Sequence, residues 1–315
     1  MRQPICLSRD PDAEALVTAV RATDQPALWQ RGVELARAYI EERAAAAPPG
    51  PRVDCVEDAS VPLADRSIAV RIYRPDAVTA LPVVVYFHGG GWVLGSVESS
   101  DAFCRRVVDT APCVLVSVDY RLAPEHPFPA AIDDAVGAIE WARAHAKWWG
   151  GDPERLIVLG DSAGGNLATV ATRRLLGEGK DVVARQILAY PSVAADRRPS
   201  AAGLGAEWPL TDADRAWFFE HYVPDDTMRS DPDVAPLLAD VAGMPPTTLL
   251  LGGCDPVVSE GIEYAKHLAM AAVSVDVHLY TGQIHGFLTF DESVLAGSRE
   301  ALELVAIAIW NTGRR

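Results

Sequence analysis

The sequence lacks the positive charge and the long apolar runs that several classes of protein depend on. Its 28 lysines and arginines stand against 43 aspartates and glutamates, so the formal net charge is −15. This balance argues against nucleic acids and anionic membranes as partners. No apolar stretch approaches the length that spans a bilayer, and no basic start followed by an apolar run predicts a secretory signal.

Cysteine is also scarce. The five cysteines are scattered along the chain without a C-x-x-C pair. Their number and spacing predict neither a disulfide framework nor a zinc site. A reducing cytoplasm is therefore the expected location.

What the sequence does contain is a regular alternation of apolar strands and helices. Strands are predicted at 52–57, 67–74, 82–87, 113–118, 156–159, 184–190, 247–251 and 273–280. Helices are predicted at 101–110, 130–147, from the turn after 159 to about 176, through Tyr264 and Leu268, and at about 301–310. This alternation predicts an α/β fold with a mostly parallel sheet covered by helices on both faces. A chain of 315 residues suits one such domain with an elaboration.

Two regions depart from the alternation. The first fifty residues are alanine-rich and helical in pattern, and they end at the breaker Pro48-Pro49-Gly50-Pro51. Residues 191–245 hold several aromatic side chains and no evident strand, which predicts an inserted helical cap, although a surface excursion packing its own aromatics is an alternative. The chain is therefore divided into an N-terminal helical part of the cap (1–50), the first part of the core (51–190), the inserted cap segment (191–245) and the second part of the core (246–315).

The most informative stretch runs from Leu156 to Ala168. It reads as a buried strand, a sharp turn at Ser162 and an alanine-rich helix. Gly160 and Gly164 flank the serine with the G-x-S-x-G spacing of a nucleophile elbow, in which side chains at the glycines would collide across a strained turn. A plain glycine-rich turn between a strand and a helix gives the same pattern, so the neighbouring motifs must decide.

A glycine loop follows the apolar strand 82–87. Its sequence is His88-Gly89-Gly90-Gly91-Trp92, and three successive glycines can turn several backbone N–H groups toward one point. Such an arrangement suits the stabilisation of a negatively charged oxygen. The loop is known to accompany the serine elbow, where the N–H of Ala163 supplies a further donor. A flexible loop without a function is the alternative.

A serine nucleophile needs a base, and the base needs an orienting carboxylate. Among seven histidines, His285 lies in a loop after a predicted strand near the C-terminus, which makes it the predicted base. Asp255 follows a buried strand and precedes Pro256, although an Asp-Pro turn without a function is the alternative. Asp231 and Asp276 are weaker candidates, because one lies in the inserted segment and the other inside a strand. The chain order serine, aspartate, histidine is that of α/β-hydrolases.

Together, these motifs resemble those of the hormone-sensitive-lipase-like family of α/β-hydrolases, which includes bacterial carboxylesterases. The resemblance runs from about Val70 to the C-terminus. It rests on the glycine loop, the segment 119–134, Gly160-Asp161-Ser162-Ala163-Gly164-Gly165, Asp255-Pro256 and His285-Gly286-Phe287. It implies an α/β-hydrolase fold with a helical cap and an esterase that needs no metal or cofactor.

The resemblance also implies roles for individual residues. Ser162 would attack the ester carbonyl, with His285 as its base and Asp255 as the orienting carboxylate. The N–H groups of Gly90, Gly91 and Ala163 would form the oxyanion hole, and the segment 120–134 would buttress the site. Val257-Val258-Ser259 departs from the Leu-Arg-Asp usual in the family, which removes no catalytic group but leaves the substrate preference open.

Four aromatic residues suggest the lining of the substrate site: Trp92, Trp208, Trp217 and Phe218. Their bulk favours small-molecule esters with short- to medium-chain acyl groups over long lipid chains. Amide hydrolysis, or acyl transfer on a specific natural product, is an open alternative because it uses the same acyl-enzyme. A non-catalytic small-molecule receptor of the same fold is a further alternative, which the intact serine, aspartate and histidine disfavour. The strand 273–280 is a candidate sheet edge, and pairing of such edges would give a homodimer.

Overall fold

The most apolar segments of the chain form the middle of one eight-stranded sheet. The computed structural model describes residues 8–76, 80–195, 201–206 and 208–313. The strands are β1 (Cys55–Pro62), β2 (Ser67–Arg74), β3 (Leu81–Phe87), β4 (Val114–Asp119), β5 (Gly151–Asp161), β6 (Arg185–Ala189), β7 (Thr247–Cys254) and β8 (Val275–Ile284). Their order is β1-β2-β4-β3-β5-β6-β7-β8. Strands β1, β2 and β4 pair antiparallel and all other neighbours pair parallel.

Helices cover both faces of this sheet. The helices of the described residues are α1 (Pro11–Ala22), α2 (Leu28–Ala46), α3 (Asp101–Thr110), α4 (Ala130–His145), α5 (Ala163–Gly177), α6 (Asp212–Tyr222), α7 (Val258–Met270) and α8 (Ala296–Trp310). The chain steps from β3 to β4 in one direction and from β4 to β5 in the other, so right-handed crossovers place α3 and α4 on opposite faces. Helix α3 packs against α8, and α4 packs against α5. Within the described ranges, no helix has the length and apolar character needed to cross a bilayer.

Strands β3 and β7 are buried along their whole length. All seven residues of β3 and all eight of β7 are shielded from solvent. Strands covered by helices on both faces are mostly apolar, which is why β3 and residues 249–251 of β7 are unbroken apolar runs. The expected α/β fold with a mostly parallel sheet is confirmed.

The ends of four predicted strands are wrong by three or more residues, among them β7, which continues to Cys254, and β8, which continues to Ile284. The segment predicted at 52–57 is shifted, because β1 begins at Cys55 and extends to Pro62 along β2. Strand β5 begins at Gly151, five residues before the predicted start. Its first residues include charged side chains that a buried strand would exclude, and Glu154 instead binds Arg143 at the protein surface.

Helices α2 and α6 lie over the edge of the sheet where the parallel strands end. The backbone N–H of Trp29 in α2 donates to Asp214 in α6 over 3.1 Å. Beyond a kink at Gly32 in α2, Arg37 donates to the carbonyl oxygens of Val93 and Ala123, which belong to loops after β3 and β4. The segment after β6 contains α6 and short 3₁₀ turns, and no strand among its described residues. The division of the chain into cap and core segments stays a prediction.

The cysteines depart from expectation at one position. Cys55, Cys104 and Cys113 carry free thiols. Cys254, at the end of β7, is disulfide-bonded. One disulfide-bonded cysteine does not make a framework of several bridges, but the spacing of the cysteines did not indicate this bond.

Candidate active site

The turn after β5 holds Ser162 in a strained backbone conformation. Its φ is 54° and its ψ is −117°, a region that residues with a side chain rarely adopt. A Cβ at Gly164 would overlap the carbonyl oxygen of Phe87, and one at Gly160 would overlap the carbonyl oxygen of Gly164. The two flanking positions of the motif therefore accept only glycine, as predicted.

Backbone hydrogen bonds from the neighbouring strand hold this turn in place. The N–H of Ser162 donates to Ala189 at the end of β6 over 2.9 Å. The carbonyl oxygen of Ser162 accepts from two backbone N–H groups, that of Asn166 in the first turn of α5 and that of Ser192 after β6. The strain at the serine is thus offset by bonds to elements on both sides of the turn.

Ser162, His285 and Asp255 lie in a chain of hydrogen bonds. The distance between Ser162 Oγ and His285 Nε2 is 2.9 Å, and the distance between His285 Nδ1 and Asp255 Oδ2 is 2.8 Å. Asp255 is completely buried and His285 is 9% exposed. A carboxylate only accepts hydrogen bonds, so Nδ1 carries the proton and Nε2 is left as an acceptor for the serine hydroxyl.

The sheet explains why residues so far apart in sequence meet. Ser162 follows β5, Asp255 follows β7 and His285 follows β8. These strands are parallel, and the carboxyl ends of parallel strands lie along one edge. Both weaker carboxylate candidates lie elsewhere. Asp276 is near the opposite end of β8 and is paired in the sheet with Thr248, and Asp231 follows the 3₁₀ turn Asp226–Ser230 in the inserted segment.

The glycine loop is tied to the elbow through Asp161. One oxygen of this carboxylate accepts from the backbone N–H of Gly89 over 2.9 Å and from the hydroxyl of Tyr86 over 2.7 Å. The carbonyl oxygen of His88 accepts from the hydroxyl of Tyr120 over 2.8 Å, and the two rings stack with their centroids 4.3 Å apart. Asp161 and Tyr120 therefore hold the first residues of the glycine loop in place from two sides.

The loop leaves several N–H groups without an acceptor. Gly90 and Gly91 have φ values of 114° and 61°, which only glycine adopts without strain. Within the ranges that the structure describes, the backbone N–H groups of Gly90, Gly91 and Ala163 donate to no protein atom. Unused N–H donors beside a serine are available to a ligand oxygen.

Two buried groups next to the site have shifted pKa values. Burial raises the pKa of Asp161 above its usual range, although its hydrogen bonds from Tyr86 and Gly89 oppose this shift. Burial lowers the pKa of His88, whose Nδ1 lies 2.7 Å from the carbonyl oxygen of Gly89. His88 is thus a neutral imidazole that donates to its own loop, which separates it from the role of base.

The segment 120–134 is braced by a buried ion pair. Asp134 is completely buried, and its carboxylate accepts from the guanidinium groups of Arg66 and Arg121 and from the backbone N–H of Arg121. These bonds connect the start of α4 with the loop after β4, next to Tyr120. No group of three His, Cys, Asp or Glu side chains in the described residues is arranged to hold a metal ion.

Two cavities meet at Ser162, a small one of about 30 Å³ and a large one of about 1040 Å³. Trp92 lines the small cavity and Trp208 lines the large one, while Phe218 lines both. Trp217 lines neither, and its ring packs on Phe218 and His221 instead. Three of the four aromatic residues expected in the substrate site therefore face a cavity next to the serine.

The sequence did not indicate several residues of this region. Helix α2 contributes Tyr39 and Arg43 to the large cavity, and α6 contributes Arg215 to the small one. None of them lies in a recognisable motif. The bond from Gly89 to Asp161 spans 72 positions, so only the three-dimensional structure reveals it.

Comparison with known proteins extends these observations. A model of the alpha/beta hydrolase fold matches residues 84–289. The ethyl acetate hydrolase of Pseudomonas putida is 35% identical over 96% of this chain and 99% of its own length. The carboxylic ester hydrolase LipN of Mycobacterium tuberculosis is 41% identical over 76% of this chain and 66% of its own length. The solved structure of a hyperthermophilic esterase from the archaeon Pyrobaculum calidifontis is 35% identical, covers 96% of this chain and 98% of that chain, and has a TM-score of 0.88.

Proposed function

The chain belongs to the hormone-sensitive-lipase-like family of α/β-hydrolases and is a carboxylic ester hydrolase, and from this premise we propose that it cleaves short- to medium-chain acyl esters through Ser162, His285 and Asp255. The observation that carries the proposal is the unbroken chain of hydrogen bonds from the serine hydroxyl to the buried carboxylate. A serine in this arrangement becomes a nucleophile because a neighbouring base removes its proton as it attacks.

The first step forms the acyl-enzyme. Ser162 Oγ bonds to the ester carbonyl carbon while His285 Nε2 accepts the hydroxyl proton, and Asp255 stabilises the imidazolium. The tetrahedral intermediate then collapses, the bond from carbon to the alcohol oxygen breaks, and His285 returns the proton to that oxygen. The free alcohol leaves, and the acyl group stays on the serine.

The second step releases the acid. A water molecule gives a proton to His285 and bonds to the acyl carbon, and the ester bond to Ser162 breaks as the serine recovers its proton. One ester and one water are consumed, and one acid and one alcohol are formed. No other reactant is needed.

The proposed oxyanion hole consists of the N–H groups of Gly90, Gly91 and Ala163. Its support is that these three groups have no acceptor in the described protein and that each of the three residues lines a cavity together with Ser162. Such donors are fixed before the reaction and therefore need no reorganisation as the negative charge develops. Removing one donor from an oxyanion hole typically raises the barrier by about 2.7–4 kcal/mol.

The proposed substrate range follows from the aromatic walls next to the serine. Trp92, Trp208 and Phe218 are bulky and border the cavities at Ser162, which favours small-molecule esters over long lipid chains. A second copy of the chain is the proposed protein partner, since β8 is an edge of the sheet with Val277 and Leu279 exposed. A cytoplasmic location stays a prediction from the sequence.

A chain-length series tests this function. Hydrolysis of p-nitrophenyl esters from acetate to palmitate is measured for the wild type, for Ser162→Ala and for Ser67→Ala, a matched change at an exposed serine of β2. We expect the wild type and Ser67→Ala to cleave the shorter esters equally well. Ser162→Ala is expected to lose about 10⁴- to 10⁶-fold in kcat while folding normally.

Two results would contradict the proposal. Near-wild-type hydrolysis by folded Ser162→Ala would exclude this serine as the nucleophile. A rate that peaks beyond about ten acyl carbons would exclude the proposed preference for shorter chains.

A further inference from the structure

The two cavities at Ser162 differ in which catalytic groups they reach. The small cavity is lined by Ala163 but not by His285, whereas the large cavity is lined by His285 but not by Ala163. Four residues line both cavities and form the boundary between them: Gly91, Ser162, Leu210 and Phe218. An ester bound at the serine would therefore have one half on each side of this boundary.

The position of His285 decides which half lies where. In the proposed mechanism its Nε2 protonates the alcohol oxygen as that oxygen leaves, so the two atoms must come within hydrogen-bond distance. The alcohol half then extends into the cavity that His285 lines, which is the large one. With the carbonyl oxygen held by the free N–H groups, the acyl half is directed into the small cavity.

The volume of the small cavity limits the acyl group. A water-sized group needs roughly 10–15 Å³ of such space. A cavity of about 30 Å³ thus holds about two groups of that size. Acetyl and propionyl groups fit this space, and a hexanoyl chain does not.

The walls of the small cavity are firmly held. The ring of Phe218 is 6% exposed and lies directly on Gly91, where a Cβ would overlap it. Another wall is Arg215, whose guanidinium lies 3.3 Å from the carboxylate of the buried Glu260. A longer acyl chain would have to displace a packed ring or separate a largely buried ion pair, and both are costly.

We propose that the small cavity is an acyl site for two- and three-carbon acids, that Phe218 sets this limit, and that the large cavity takes bulky alcohols. The inference rests on the proposed function, because the orientation of the ester comes from the role of His285. It narrows the substrate class to acetates and propionates of large alcohols. The large cavity offers apolar and aromatic walls for such alcohols, among them Trp208 and Phe290.

Two isomeric esters test the assignment without any mutation. Hexyl acetate and ethyl hexanoate have the same atoms and nearly the same polarity, but the long chain is on the alcohol half of one and on the acyl half of the other. We expect wild-type kcat/KM, measured by titration of the released acid, to favour hexyl acetate at least about tenfold, since a single misplaced methylene already costs about that much. A ratio of one or less overturns the assignment.

A pair of matched variants tests the role of Phe218. Phe218→Ala joins the two cavities, so the preference for ethyl acetate over ethyl hexanoate is expected to fall at least about tenfold. Phe290→Ala removes the same ring from the large cavity, and this acyl-length ratio is expected to stay at the wild-type value. Phe218→Leu, which removes less volume, is measured as well, and thermal melting verifies that each variant is folded.

The outcomes separate this inference from the proposed function. If folded Phe218→Ala and Phe218→Leu keep the wild-type acyl-length ratio, Phe218 does not set the limit. If the wild type cleaves p-nitrophenyl acetate but not hexyl acetate, the alcohol site is wrongly assigned while the proposed function stands. If the wild type cleaves none of these esters, the proposed function itself fails.

Discussion

At the scale of single residues, the two oxygens of Asp255 have different partners. Oδ2 accepts from His285 Nδ1 over 2.8 Å, and Oδ1 accepts from the backbone N–H of Val257 over 2.9 Å. The backbone donor cannot change its role, so any side chain at position 255 must present an acceptor to Val257. This requirement fixes the orientation of an amide side chain at position 255, so its effect on His285 can be predicted.

We predict that Asp255→Asn reverses the tautomer of His285. The amide oxygen would face Val257, and the amide N–H₂ would face Nδ1, which then becomes an acceptor and leaves the proton on Nε2. His285 could no longer accept the proton of Ser162, and kcat for p-nitrophenyl acetate should fall about 10³- to 10⁴-fold. Asp276→Asn, the same change at an exposed position of β8, serves as the control and should leave kcat unchanged.

A second prediction concerns His88 and the stability of the fold. Burial lowers its pKa below the ordinary value of 6.5, although the nearby Asp119, Asp161 and Glu41 oppose this shift. As pH falls below about 6.5 the unfolded chain takes up a proton that the folded chain does not, so stability that is fully present at higher pH is lost. The loss from one such group is at most about 1.4 kcal/mol per pH unit.

Urea unfolding of the wild type and His88→Asn between pH 7.5 and 5.5 measures this effect. The free energy of unfolding should fall more steeply with decreasing pH in the wild type, because all other histidines are common to the two proteins. If the free energy of unfolding changed equally with pH in the two proteins, the pKa of His88 would be the same in the folded and the unfolded chain.

At the scale of secondary-structure elements, the elbow depends on close contact between α5 and β3. Gly164 lies in the first turn of the helix, and a Cβ there would overlap the carbonyl oxygen of Phe87. A backbone oxygen in the middle of a packed fold cannot move aside as a flexible side chain can. The helix would have to shift away from the strand.

We therefore predict that Gly164→Ala destabilises the protein by about 1–3 kcal/mol and lowers esterase activity, because Ser162 moves with the helix. Gly177→Ala at the other end of α5 is the matched control, since a Cβ there meets no atom within 4 Å. That change should be neutral or stabilise the protein by up to about 1 kcal/mol. Chemical denaturation would contradict the account if the two variants were equally stable.

The elements and the site differ in how far the sequence predicts them. Apolar runs predict the buried parts of β3, β5 and β7, and the elbow motif predicts Ser162, because local patterns carry this information. Asp255 and His285 are predicted from their places after strands and from the order of the three residues in the chain. The sequence does not predict that β5 begins at Gly151, because the first residues of this strand include charged side chains. The pairing of Gly151 with Leu81 is a tertiary contact that no local pattern indicates. The small cavity was missed for the same reason, because it arises where Phe218 of α6 packs on Gly91 of a distant loop.

At the scale of the whole molecule, the sheet has an accessible edge. Strand β8 is last in the order, and Val277 and Leu279 on it are 45% and 39% exposed. An open edge strand with exposed apolar side chains favours pairing with another chain, and a two-fold axis is the simplest way to close such a contact. These features favour the proposed homodimer.

Light scattering at assay concentration tests this assembly. We predict a dimer for the wild type and a monomer for the double variant Val277→Lys and Leu279→Lys, since lysines on an edge strand oppose pairing. Both proteins should hydrolyse p-nitrophenyl acetate, because β8 contributes to the site only through the loop after its end. A monomeric wild type would remove the dimer from the account.

The most direct test of the central claim, that Ser162 forms a covalent acyl-enzyme, is intact-protein mass spectrometry after reaction with diethyl p-nitrophenyl phosphate. In this reaction the serine oxygen bonds to phosphorus, p-nitrophenolate leaves, and a stable diethylphosphoryl ester remains. The account predicts one added diethylphosphoryl group on the wild type, located at Ser162 by peptide mapping, with loss of esterase activity in the same proportion. An unlabelled but active wild type, or equal labelling of folded Ser162→Ala, would contradict it.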